Sequence, residues 1–376
     1  MLVATAAFLL GLVYGAVVQR THFCTMGAIA DAVLFGSRRR LRSWLLAIAV
    51  ALAGTQALAL AGLVPLDAAF YRGGELRWLA ALVGGTLFGF GMVLAGGCVS
   101  RNLVRLGAGS LKSLVVLLVL GVTAYAAMRG ALAVPRGWIA GAAAVDLRPL
   151  GLATQGLDTL VATGLGVPPA LAAAGLAAVL VALVLWYCLK DAGFLGARRE
   201  LVAGLVVGAL VPLGWLATAQ LGELDFDPLP PASLTYVAPT GATVLYLMTA
   251  TGAAVDFAVA LVVGTVLGAF ATALATRQLR LETFTSGDDM LRHLAGAVLM
   301  GAGGVLAGGC SIGQGITGLS TLALGSFVAV GGIALGAVWA LDYLESGRLL
   351  AWPARPWRSL AGHLPGAAAG ADARRP

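Results

Sequence analysis

The sequence predicts an all-α polytopic membrane protein of about nine transmembrane helices, with short re-entrant helices between them and two inverted, pseudosymmetric repeats. Three observations carry that expectation: 60% of the residues are hydrophobic against 11% charged, the apolar runs have spanning length, and one pattern occurs twice. A soluble domain covers its surface with about 25% charged residues, so lipid replaces water around most of this chain. Its 53 glycines suit a bilayer interior, where small residues let helix backbones approach.

Runs of about 20 apolar residues fall at 2–19, 44–64, 78–97, 110–128, 169–189, 201–217, 255–275, 293–309 and 325–344. Three further stretches, 24–36, 149–165 and 240–252, are too short to cross. Such pieces persist in a bilayer as re-entrant helices where they are buried in protein or line a cavity; surface helices are the alternative. Arg20 follows the first apolar run rather than preceding it, so that run reads as a retained span and not a cleaved leader.

Alternating these spans sorts all 24 basic residues into 19 on one side and 5 on the other, the five being Arg72, Arg77, Arg129, Arg136 and Arg148. The richer side belongs in the cytoplasm. That predicts a multi-pass membrane protein with its N-terminus outside and its C-terminus in the cytoplasm. The acidic loop of Glu223, Asp225 and Asp227 then falls outside. The net charge of +7 therefore reflects topology, and with no RNA or DNA motif between the apolar runs a nucleic-acid partner is excluded.

The pattern GGTLFGFGMVLAGGC at 84–98 aligns without gaps to GAVLMGAGGVLAGGC at 296–310, and GLVYGAVV at 11–18 matches GLVVGALV at 204–211. The matched runs are the first and sixth spans and the third and eighth. An odd number of crossings separates each pair, so the halves are inverted, as in many secondary transporters whose broken helices surround one central site. The expected organisation is a first repeat at 1–128, a linker with one span at 129–200, a second repeat at 201–344, and a cytoplasmic tail at 345–376 whose Pro-, Arg- and Ala-rich composition predicts disorder.

Two adjacent glycines precede Cys98 and Cys310. They disfavour continued helix and permit unusual dihedrals, so each helix should end there and leave backbone groups facing the interior. The segments that follow, VSRNLVRLG and SIGQGITG, are too polar for lipid. Backbone amides at the start of the next short helix, with Ser100, Asn102, Ser311 and Gln314, could hold an anion; tight helix packing at small residues is the competing explanation. Cys24 opens the first short stretch within QRTHFCTMGA, beside Arg20, His22 and Thr25. Its counterpart in the second half, APTGATVLYL, has no cysteine. Cys188, on the linker span, reads as an inert buried thiol, and Arg38 to Arg42 as a topology anchor. No CxxC pair, zinc-ligand spacing or histidine cluster is present, so neither a metal nor another cofactor is expected.

The combination of QRTHFCTMGAIAD with two AGGC segments resembles the YeeE/YedE family of bacterial inner-membrane proteins, over about 1–344. The resemblance implies thiosulfate uptake through a pseudosymmetric bundle of nine spans, with functional cysteines at Cys24, Cys98 and Cys310; some relatives are associated with selenium metabolism instead. A thiol is a weak donor and a polarisable surface, so a row of thiols can pass a soft anion such as thiosulfate by successive weak sites. The expected partners are that anion, membrane lipids and a cytoplasmic sulfur-carrier protein. A membrane-embedded sulfurtransferase is the enzymatic alternative, opposed by the absence of a CxxC pair and of an adjacent base.

Overall fold

The computed structural model describes residues 1–222 and 230–348; the acidic loop residues and the tail from 349 onward lie outside the described residues. Among the described residues the chain is mainly helical, with one two-stranded ribbon. In chain order the helices are α1 (Leu2–Thr21), α2 (Thr25–Leu34), α3 (Arg39–Leu60), α4 (Trp78–Leu94), α5 (Val99–Gly107), α6 (Leu111–Arg129), α7 (Ala133–Ala142), α8 (Leu157–Leu165), α9 (Pro169–Leu189), α10 (Ala192–Leu195), α11 (Arg198–Gly222), α12 (Val237–Thr249), α13 (Phe257–Ala275), α14 (Gly287–Leu306) and α15 (Leu324–Ser346). The three stretches too short to cross are α2, α8 and α12.

Among the described residues, eight helical segments are long and apolar enough to cross a membrane, against about nine expected. The difference is α14. It is 20 residues long, but its first turn carries Asp288 and Asp289, and Arg292 follows. Ser286 caps that turn by accepting from Asp289 N at 3.1 Å, and Lys112 meets Asp289 at 2.7 Å. The helix therefore starts six residues before the apolar run at 293, with a neutralised polar turn outside it. The remainder of α14 packs between α4 and α6, so protein rather than lipid covers much of its surface.

Packing follows corresponding pairs. Helix α1 lies on α13 as α11 lies on α3, and α4 lies on α15 as α14 lies on α6, while α1 with α11 and α4 with α14 close the centre. Glycines make these approaches possible. A Cβ on Gly204 would stand 2.7 Å from the Ser43 carbonyl oxygen, and one on Gly208 would stand 2.7 Å from that of Ala47. Gly11 and Gly15, their partners in the sequence match, press on the Leu261 and Thr265 carbonyls of α13.

The linker does more than join. Its ribbon pairs Glu75–Leu76 with Val145–Asp146, and Gln155 donates to the Tyr71 carbonyl at 2.9 Å. Leu157 N donates to the Leu322 carbonyl at 2.9 Å. Arg72, 4% exposed, binds Asp158 at 2.8 Å and the Thr321 carbonyl at 3.2 Å. The linker thus fastens the start of α15 to the loop before α4.

Candidate functional site

Both AGGC segments end their helices in the same way. Gly96 and Gly308 take left-handed φ values of 66° and 74°, where a side chain is strained and glycine is not. Gly97 N donates to Met92 O and Gly309 N to Gly304 O, each at 2.8 Å, which satisfies carbonyls that the broken helix would otherwise leave bare. Each break then delivers a cysteine to the head of a new helical segment. Asn102 N donates to the Cys98 carbonyl at 3.0 Å and Gln314 N to the Cys310 carbonyl at 2.7 Å. Ala28 N donates to the Cys24 carbonyl at 3.0 Å, so all three cysteines begin helical segments and stand where the helix dipole is positive.

The three thiols converge. Cys98 and Cys310 are each 1% exposed, Cys24 is partly exposed, and the thiols of Cys24 and Cys98 lie against each other. Cys98 Sγ meets Ser100 Oγ at 3.4 Å, with Ser311 on its other side. Cys310 Sγ accepts from Gly313 N at 3.3 Å and faces the backbone of Tyr236. Tyr236 caps α12 as Cys24 caps α2, so a tyrosine stands at the cap position that Cys24 holds in α2. Its ring packs at a tilt against Tyr14 with centroids 5.1 Å apart, and Tyr14 lies within electrostatic range of both Cys98 and Cys310.

The family described as sulphur transport matches residues 20–339. The chain belongs to it. The thiosulfate transporter TsuA of Escherichia coli is 28% identical over 354 residues, covering 89% of this chain and 92% of that protein. The TsuA of Spirochaeta thermophila is 26% identical over 85% of this chain and 93% of its own length. The probable transporter YedE of Escherichia coli is 31% identical over a shorter stretch, 24% of this chain. The resemblance to YeeE/YedE proteins thus extends over most of the sequence, and the relatives are named as transporters rather than enzymes.

Within this sulphur transport protein the other sequence-derived candidates occupy distinct positions. Asn102 and Gln314 brace the two breaks. Asn102 Nδ2 donates to the Gly97 carbonyl at 2.9 Å and its Oδ1 accepts from Ser113 at 3.0 Å; Gln314 Nε2 donates to the Ala307 carbonyl at 2.7 Å and its Oε1 accepts from Ser326 at 2.6 Å. Ser100, Ser311 and Thr25 are buried near the thiols. Arg20 is exposed at the end of α1, apart from them. His22 caps α1 in the left-handed region and meets Arg101 Nη2 at 3.2 Å. Arg101 also lies near Cys24 and Cys98, placing a cation beside the first pair of thiols. Cys188 packs with Leu46 and Phe194 in a separate cluster.

Sequence reading missed Tyr14, Trp44 and Tyr236, because single aromatics in apolar helices carry no periodic signal. It also missed a vestibule of about 370 Å³, where Arg77, Arg136 and Arg148 stand around an opening that reaches Gly308 and Gln314 at the second break. Arg77 comes from the connection before α4, and Arg136 on α7 and Arg148 beyond it come from the stretch between α6 and α8.

Proposed function

We propose that the chain takes up thiosulfate across the bacterial inner membrane, its N-terminus outside and its C-terminus cytoplasmic, through a relay of Cys310, Cys98 and Cys24. One observation carries the reading: thiols far apart in sequence converge at the heads of three helical segments, with Cys98 against Cys24 and Tyr14 within electrostatic range of both Cys98 and Cys310. Thiols bind soft sulfur weakly, and weak successive sites favour release. The two TsuA relatives support thiosulfate as cargo.

The vestibule supports an outer mouth on the Cys310 side. Arg136 and Arg148, with Arg77 paired to Glu75 at 2.9 Å, leave the vestibule net positive and would raise the local concentration of a divalent anion. Cys24 is the partly exposed thiol and would release the anion toward a cytoplasmic sulfur carrier. The repeat organisation 1–128 and 201–344 is part of the same proposal, supported by the corresponding helix pairs and by the matching breaks.

Uptake of radiolabelled thiosulfate, sulfate and selenite into vesicles carrying the protein tests the cargo. Saturable thiosulfate uptake is expected; selenite uptake without thiosulfate uptake would move the assignment to selenium. A reporter fused after Ser346 should give a cytoplasmic signal, and a periplasmic one would reverse the direction drawn here.

A further inference from the structure

Buried polar groups without partners gather around the cysteines. The Tyr14 hydroxyl, Thr25 Oγ1, Trp44 Nε1 and Ser311 Oγ are all buried and make no hydrogen bond, on residues that are 0, 4, 9 and 1% exposed. Leaving such a group unpaired forfeits its hydration without replacement, and native interiors hold few of them. Four at one centre therefore call for a physical reason. Neighbouring polar groups follow the ordinary rule: Asn102, Gln314, Ser113 and Ser326 are engaged, and the Tyr236 hydroxyl meets Thr265 at 3.2 Å.

The unpaired groups are distributed among the thiols. The Tyr14 hydroxyl lies beside Ser100 and within electrostatic range of Cys98 and Cys310. Ser311 directly follows Cys310 in sequence and lies beside Cys98. Thr25 directly follows Cys24, and it shares the wall of a small cavity of about 100 Å³ with Trp44 and Ser311. Each thiol thus has at least one free O–H or N–H within its surroundings.

Resting on the reading of thiosulfate as cargo, we propose that Tyr14, Thr25, Trp44 and Ser311 are neutral donors for the anion's sulfonate oxygens, while Cys310, Cys98 and Cys24 meet its terminal sulfur. All four groups can donate a hydrogen bond and none carries charge. Neutral donors replace part of the anion's hydration while limiting the site's positive charge to Arg101 beside Cys24 and Cys98, since further buried cations would be costly and would hold a dianion too tightly to conduct it. The arrangement also gives each thiol station a means of fixing the anion's orientation, oxygens on the donors and sulfur on the thiol.

The test uses purified full-length protein in proteoliposomes and labelled thiosulfate. Tyr14→Phe keeps the ring and its packing against Tyr236, Thr25→Val keeps shape, and Ser311→Ala removes only the hydroxyl oxygen. Each should raise the KM for thiosulfate about tenfold, the factor that corresponds to one lost hydrogen bond of about 1.4 kcal/mol, with melting temperature unchanged or increased. Thr25→Ser, which restores the hydroxyl without the methyl, should return KM close to wild type. Wild-type KM in all three hydroxyl-deleting variants, with wild-type uptake intact, would overturn the donor assignment and leave the cargo reading standing. Failure of Thr25→Ser to rescue an impaired Thr25→Val would also overturn it at that residue, since shape and not the donor would then be what matters. Absence of thiosulfate uptake by the wild-type protein itself would instead sink the cargo reading.

Discussion

Ser326 donates to Gln314 Oε1 at 2.6 Å while the same amide holds the Ala307 carbonyl at 2.7 Å, tying α15 to the end of α14 across the second break. Ser113 and Asn102 make the equivalent tie at the first, where Asn102 holds the Gly97 carbonyl. A helix that stops inside a bilayer leaves polar groups that lipid cannot satisfy. These amides satisfy them and fix where the cysteine thiols stand.

Gln314→Leu should therefore strand both the Ser326 hydroxyl and the Ala307 carbonyl, costing about 1–3 kcal/mol for each group left unpaired. Thermal unfolding in detergent should show the loss, with uptake reduced. Ser326→Ala should be milder, and the double variant should lose less than the two single losses added together. Strict additivity would mean that the two side chains do not act as a unit.

The central crossing of α4 on α14 rests on glycines that the repeat alignment matches. A Cβ on Gly91 would meet the Gly296 carbonyl oxygen at 2.7 Å, and one on Gly296 would meet that of Gly91 at 2.6 Å. Gly296→Val should reduce the yield of monodisperse protein severely, because backbone on a neighbouring helix cannot yield as a flexible side chain can. Gly331→Ala, where an added Cβ meets nothing within 4 Å, should be neutral or slightly stabilising. Equal yields from both would remove close helix approach as the reason for the glycines.

How much of this was legible in the sequence depends on what signal each part carries. Leu2–Thr21 and Pro169–Leu189 announce themselves because apolar length is a property of the local chain. The paired AGGC segments announced the breaks because glycine acts through its own backbone freedom. Gly287–Leu306 was read too short at its start, since Asp289 becomes compatible with that helix only when Lys112, far away in sequence, neutralises it. Asn102 and Gln314 were recognisable as belonging to the breaks, yet their bracing bonds depend on serines in the following helices. Tyr236 escaped notice for a related reason: its correspondence to Cys24 lies in the cap position of a helix, and the residue types share nothing.

The pair of Lys112 and Asp289 should be visible in the pH dependence of stability. The Lys112 hydrogen bond, assisted by the Thr285 backbone and by His293, holds the Asp289 carboxyl far below its usual range. Arg292 adds a second cation at 3.3 Å. A depressed folded-state value means that the carboxylate stabilises the fold above its unfolded value of about 4 and loses that contribution as pH falls below it. Thermal unfolding followed from pH 7 down to pH 3 should show a decline that Asp289→Asn lacks in part, together with a lower stability of that variant at pH 7. An identical decline in Asp289→Asn would assign the acid sensitivity to other carboxylates.

Cys98 and Cys310 are expected to act as non-covalent S–H donors and not as covalent sulfur carriers. A covalent carrier needs a thiolate, and a thiolate needs a base or a stabilising cation. The groups near Cys98 include the Cys24 thiol, the Ser100 and Ser311 hydroxyls, the Arg101 backbone and Tyr14, none of them a histidine or a carboxylate. Cys310 Sγ accepts from Gly313 N, which leaves its own S–H free to donate. Cys98→Ser and Cys310→Ser keep a donor but lose size and softness, so uptake should weaken, and alanine at either position should weaken it at least as much. Cys188→Ala should leave uptake near wild type, because its thiol meets only the Arg42 carbonyl at 3.5 Å in a cluster away from the other three. The Arg101 cation beside the site and the hydrogen-bonding groups around Cys98 favour a thiolate instead, and mass spectrometry decides the matter. Protein quenched with an alkylating reagent during turnover should show unmodified, alkylatable Cys98 and Cys310. Stoichiometric persulfide on either, formed and discharged at the rate of transport, would replace the non-covalent relay with sulfur transfer through the protein.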